Sequence, residues 1–166
     1  MAAVRIGALK TKLIDFELSL TGIFAVIGLV GVLRHEMWRD ELQAWLLARD
    51  STSIIDLFQN TRTEAHPALW HLCLYGLAQI SHNPLIMQLF HLTVATASVY
   101  LIARFSPFTQ LQRTLLAFGY FSLYEYAVIS RSYALGVFFV FLFCSLYGRY
   151  QTQLAAGNMA WGALIL

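Results

Sequence analysis

Long charge-free apolar runs constrain this chain more than any other feature. Leu18 to Leu33 carries no Asp, Glu, Lys or Arg, and the same holds for Leu85 to Ala103, Ser132 to Gly148 and Leu154 to Leu166. Thr114 to Ser130 is interrupted only by Glu125. A helix crossing a bilayer needs roughly 17–25 mostly apolar residues, because its backbone polar groups must be satisfied within the segment once water is gone. The runs therefore predict an all-α, multi-pass transmembrane helical bundle. Its spans are expected at about 16–34, 85–104, 112–130 and 133–150, with the start of another at 155–166. Because that last run stops in mid-stretch, the chain reads as a piece of a longer protein. Composition agrees, with 58% hydrophobic and 12% charged residues, against roughly 45–50% and about 25% in soluble domains. Lys and Arg are scattered singly, so no basic stripe for nucleic acid exists.

One further run, Ala68 to Ile80, is apolar but short and contains His71. Cytoplasmic loops collect Lys and Arg, and this rule decides whether the run spans. If it does not, Arg5, Lys10, Lys12, Arg104, Arg113 and Arg149 share the cytoplasmic side; if it does, the last three move outside. The first arrangement is preferred. It makes 67–81 a juxtamembrane helix at the outer surface, places the N-terminus in the cytoplasm and leaves 35–84 as an external loop. Pro67 and Pro84 suit the first turns of two separate helices. The first span has basic residues before it and no small-residue cleavage pattern after it, so it reads as a retained signal anchor. The short loops favour a bacterial inner membrane.

Half of the chain's charged side chains fall between Arg34 and Glu64. Within this stretch Trp38, Leu42, Trp45 and Leu46 recur at helical spacing, predicting an amphipathic stripe with two interfacial tryptophans. Asp40 lies roughly 200° around that helix from Trp38, off the stripe. Ser53 followed by Asp56 predicts a capped helix over 54–60. Cys73 and Cys144 sit far apart in apolar stretches and read as packing residues.

Three places could carry chemistry. In Trp38-Arg39-Asp40-Glu41, adjacent carboxylates beside a membrane could hold a general base against an acceptor hydroxyl; a solvated loop cluster is the plainer alternative. In Glu64-Ala65-His66-Pro67 a helix start offers free N–H groups to an anion such as a phosphate, with His66 as a further donor or simply an exposed loop side chain. Glu125 lies inside an apolar run, where an ionisable group costs at least ~2–3 kcal/mol at mid-membrane, and Arg131 is its expected partner. That pair could serve a site or only steady the turn through Ser130-Arg131-Ser132-Tyr133. A metal held by His66, His71, Glu64 and Asp40 is conceivable but has no recognised ligand spacing.

Taken together, "WRDELQAWLLARD", "EAHPALWHLCLYGL" and "YAVISRSYALGVFF" resemble, in content and order, the N-terminal portion of a GT-C superfamily glycosyltransferase. The resemblance is to the dolichyl-phosphate-mannose-protein mannosyltransferase and aminoarabinose transferase kind (glycosyltransferase family 39-like). It covers residues 16 to 150 and implies a partial GT-C fold with juxtamembrane helices in the first external loop. It also implies transfer of a sugar from a polyprenyl-phosphate donor to a glycan, lipid or protein acceptor at the outer face of a cell membrane. The family's acidic residue carries over to Asp40, with Glu41 beside it. Its phosphate-contacting Lys before the proline is His66 here, with Glu64 nearby, and the Arg of its turn is Arg131, followed by Tyr133. Many relatives have an acidic residue just after that turn. None follows Tyr133, so Glu125 is the only local carboxylate that could replace it. The scheme needs no nucleotide cofactor and no obligatory metal. From other classes, a transporter or flippase-like protein and a small scaffold remain as alternatives.

Overall fold

The computed structural model describes residues 2–64 and 67–155, with side-chain environments from Phe16 to Leu154. His66 and the segment beyond Ala155, where a further span was expected, lie outside the described residues. Among the described residues every regular element is helical. In order they are α1 (Ala2–Arg34), α2 (Arg39–Asp50), α3 (Ile54–Asn60), α4 (Ala68–Ala78), α5 (Leu85–Phe105), α6 (Gln110–Phe118), a π-helical turn (Phe121–Glu125) and α7 (Tyr133–Ala155).

Three helical stretches are long and apolar enough to cross a membrane: Phe16–Arg34, Leu85–Phe105 and Tyr133–Leu154. The first two run antiparallel. Arg104 Nη1 donates to Glu17 Oε2 at 2.9 Å at one end, while a Cβ on Gly28 would stand 2.5 Å from Leu92 Cδ1 towards the other. A residue without a side chain allows this approach without displacing the end of the Leu92 side chain, and small residues are common at helix contacts where lipid supplies no hydrophobic drive between helices. Gly31 does the same for Val128, at 2.7 Å. Helices α5 and α7 run in parallel: Met87 and Leu135 share a core near their starts, and Arg149 lies 5.7 Å over the Phe105 ring near their ends.

The segment between α5 and α7 corrects an expectation. Residues 112–130 were expected to form one continuous span, but α6 stops at Phe118 and Gly119 breaks it with extended backbone, ψ 158°. A π-helical turn follows, in which Tyr126 N donates to Phe121 O at 2.8 Å. Glycine weakens a helix by about 1 kcal/mol relative to alanine, and wide π turns occur mostly as local bulges rather than long runs. The broken segment still returns from one end of the bundle to the other. Arg113 donates to the carbonyls of Ala103, Ser106 and Phe108. Phe118 then meets Phe24 at 6.2 Å, and Val128 meets Gly31. Antiparallel to α5, this return makes a parallel α5–α7 pair possible.

Helices α2, α3 and α4 form a cap with its own core of Ala44, Trp45, Ala48, Leu57, Trp70, Leu74 and Ala78, closed by Met87 and Leu135 from the starts of α5 and α7. Helix α4 begins just after Pro67 and α5 just after Pro84, and α4 is 11 residues long. Ser53 Oγ accepts from Asp56 N at 3.1 Å and starts α3 where expected. The Asp56 carboxyl reaches back to Thr52 N at 2.7 Å, one residue further than a standard capping box. The predicted stripe is split. Trp38, Leu42 and Leu46 are exposed, but Trp45 is 1% exposed and sits in the cap core. At 100° per residue, position 45 shares its face with 41, 44 and 48, all buried, and Ala44, Trp45 and Ala48 pack with Trp70 and Leu74 of α4 in the cap core.

Candidate active site

The cap and the start of α7 bring together residues far apart in sequence. Asp40 stands in the first turn of α2, and its Oδ2 accepts from Arg131 Nη2 at 2.9 Å across 91 residues of chain. The carboxylate side chain is 60% exposed and the arginine 21%. Arg131 also lies 5.4 Å over the Trp38 ring, an attraction worth about 0.5–1 kcal/mol at an exposed site. An ion pair this open adds only ~0–1 kcal/mol to stability. The pair presents charge to its surroundings and does little to hold the turn in place.

Glu41, one residue on, is the opposite case. It is fully buried, at 0% exposure. Its Oε2 accepts from Trp38 N at 2.8 Å and lies 2.8 Å from His35 Nε2. Its Oε1 accepts from Ser130 N at 2.6 Å, 89 residues away. One residue along a helix is a 100° rotation, and it takes one carboxyl to the surface and the other into the core. His91, 1% exposed in α5, holds the same turn from a second side. With its proton on Nδ1 the ring donates to Ala127 O at 3.4 Å and accepts from Arg131 N at 3.3 Å. The edge of Trp70 packs against it, with centroids 5.9 Å apart.

The other expected residues are placed differently. Glu125 does not pair with Arg131; its Oε1 accepts from the Tyr120 hydroxyl at 2.9 Å within the broken segment, because the π-helical turn closes that local contact. Tyr133 is 53% exposed at the first position of α7. Glu64 Oε1 accepts from Gln43 Nε2 at 2.7 Å, and His71 is buried in the cap beside Trp70. Among the described residues, no group of three or more His, Cys, Asp or Glu side chains could hold a metal. Cys73 and Cys144 are free thiols, and burial pushes the Cys73 thiol up.

Two buried donors at the turn, Ser130 Oγ and Arg131 Nε, have no hydrogen-bond partner among the described residues. Buried polar groups are normally satisfied, and each that is not costs about 1–3 kcal/mol. The turn therefore holds two buried donors whose hydrogen-bonding capacity is unused among the described residues. No family model, no curated protein and no solved structure matches this chain.

Sequence reasoning missed His35, His91 and the platform role of Trp38. A signal existed for His91, a polar ring in an otherwise uncharged apolar run. The spacing of Trp38 and Glu41, with Glu41 at the third helical position, also matched half of a capping box. His35 carried no local signal.

Proposed function

We propose that this chain is part of a membrane glycosyltransferase that moves a sugar from a polyprenyl-phosphate donor to an acceptor hydroxyl at the extracytoplasmic face. The N-terminus is cytoplasmic and the fold is a partial GT-C bundle. The observation that carries the reading is the Asp40–Arg131 pair: an accessible carboxylate and a guanidinium from opposite ends of the chain, 2.9 Å apart at the cap end. The basic residues Arg104, Arg113 and Arg149 gather at the other end, which suits a cytoplasmic face.

In this scheme the lipid tail stays in the bilayer and the donor phosphate approaches Arg131, supported by the free N–H groups at the start of α4. A phosphate competes with Asp40 for the guanidinium and frees the carboxylate to face the acceptor. Asp40 then accepts the acceptor's proton as its oxygen bonds to the anomeric carbon. The bond from that carbon to the phosphate oxygen breaks with inversion, and the departing polyprenyl phosphate takes the electron pair. Arg131 stabilises the charge that develops on it. A transfer assay with the full-length protein and radiolabelled polyprenyl-phosphate sugars tests the reading. Asp40→Asn is expected to lower transfer by at least about a hundredfold at normal protein level, and wild-type transfer by that variant refutes the base.

A further inference from the structure

We infer that Glu41 is a positioning residue that clamps the Arg131 turn onto the start of α2, so that the two acidic neighbours divide their labour: Asp40 meets substrate and Glu41 holds Arg131 in register. That role rests on the transferase reading of Asp40 and Arg131; the clamp itself does not.

Geometry rules Glu41 out of direct contact with a substrate. Its side chain is fully buried and both oxygens are engaged, one by Ser130 N at 2.6 Å, the other by Trp38 N and His35 Nε2, each at 2.8 Å. These contacts join three pieces of chain: the end of α1, the start of α2 and the link into α7. Trp38 is the residue whose ring lies under Arg131, and Ser130 is the residue just before it in the chain. Glu41 thereby sets both the platform beneath the guanidinium and the backbone that carries it. The Asp40–Arg131 contact is too exposed to do this unaided. From α5, His91 accepts from the next N–H along, that of Arg131, so the turn is held between two elements.

Glutamine cannot replace Glu41 without loss. Its amide has one acceptor oxygen, and its NH2 must face either Ser130 N–H or Trp38 N–H, donor against donor. Aspartate is one methylene too short to reach both. The clamp therefore needs a glutamate at this position.

The test uses full-length protein in native membranes, with Cys73→Ser and Cys144→Ser, carrying Asp40→Cys and Arg131→Cys and treated with a short bis-thiol reagent. This pair lacks the ion pair, so its cross-linking rate reports how Glu41 holds the turn. Glu41→Gln is expected to slow cross-linking at least about fivefold, while a surface control, Asp50→Asn, leaves it unchanged. Unaltered cross-linking in Glu41→Gln overturns the clamp; Glu41→Ala is a second variant, with the amount of membrane-inserted protein measured for each. In transfer kinetics on a cysteine-unmodified background, Glu41→Gln is expected to raise the donor KM about tenfold and to leave the acid limb of the pH profile in place. Its loss in kcat/KM should not multiply with that of Arg131→Ala, because both act through one group. A vanished acid limb or a fully multiplicative loss makes Glu41 catalytic and overturns its positioning role. Absence of sugar transfer by the wild-type protein sinks the transferase reading alone, and cross-linking still decides the clamp.

Discussion

Truncating each of two adjacent carboxylates should have very different consequences for stability. In Glu41→Ala the lost side chain leaves Ser130 N–H, Trp38 N–H and the His35 ring facing a closed cavity. Each orphaned buried donor costs about 1–3 kcal/mol, and breaking a buried polar network by removing one partner typically costs about 3–5 kcal/mol. The larger figure applies, because the Glu41 site is at 0% exposure and has no route for water to replace it cheaply. In Asp40→Ala an ion pair whose carboxyl is 60% exposed is lost, worth ~0–1 kcal/mol. Against a total stability of about 5–15 kcal/mol, the first change endangers folding and the second does not. Thermal unfolding of the purified full-length protein in detergent, followed by tryptophan fluorescence, measures both. A clear fall in Tm is expected for Glu41→Ala and almost none for Asp40→Ala. Equal shifts in the two variants would refute the division into a buried anchor and an exposed working group.

Cysteine-accessibility labelling in intact cells should place residues 40 and 131 in one compartment and residue 149 in the other; residues 40 and 131 in different compartments would exclude a shared site. Arg104→Gln leaves the buried Glu17 carboxyl without its cation and should cost ~1–3 kcal/mol, nearer the low end because Arg104 is 40% exposed; unchanged thermal stability would remove this pair from the forces that dock α1 on α5. Gly31→Leu drives a side chain into Val128 and should destabilise by about 1–3 kcal/mol, read as earlier unfolding, whereas a neutral result would show that α1 does not sit so close. The Arg49 hydrogen bond holds the exposed Asp50 carboxyl below its usual range. Its contribution is therefore present above the unfolded-state value and lost as pH falls through the lower folded one, and the NMR titration of Asp50 should move up in Arg49→Gln.

Local rules carried much of the architecture. The long apolar helices α1, α5 and α7 follow from apolar run length, and the start of α3 from Ser53 and Asp56, because hydropathy and capping act within a few residues. The break at Gly119 has no signature in the run itself, because an apolar run reads the same whether its backbone is one helix or a bulged return. For the same reason sequence spacing points Glu125 to the nearest arginine along the chain, whereas the π-helical turn puts Tyr120 within its reach.

Residue types and spacing alone determined that this chain is helical, that several helices are long and apolar enough for a bilayer, and that Asp40, Glu41 and Arg131 were worth watching. Only the tertiary structure decided that Asp40 and Arg131 touch, that Glu41 is buried beneath them, and that His35 and His91 hold the pieces together. The reason is physical. Contacts across 89 and 91 residues depend on how three helices and a cap pack, and packing is a property of surfaces brought together in space that no local pattern encodes.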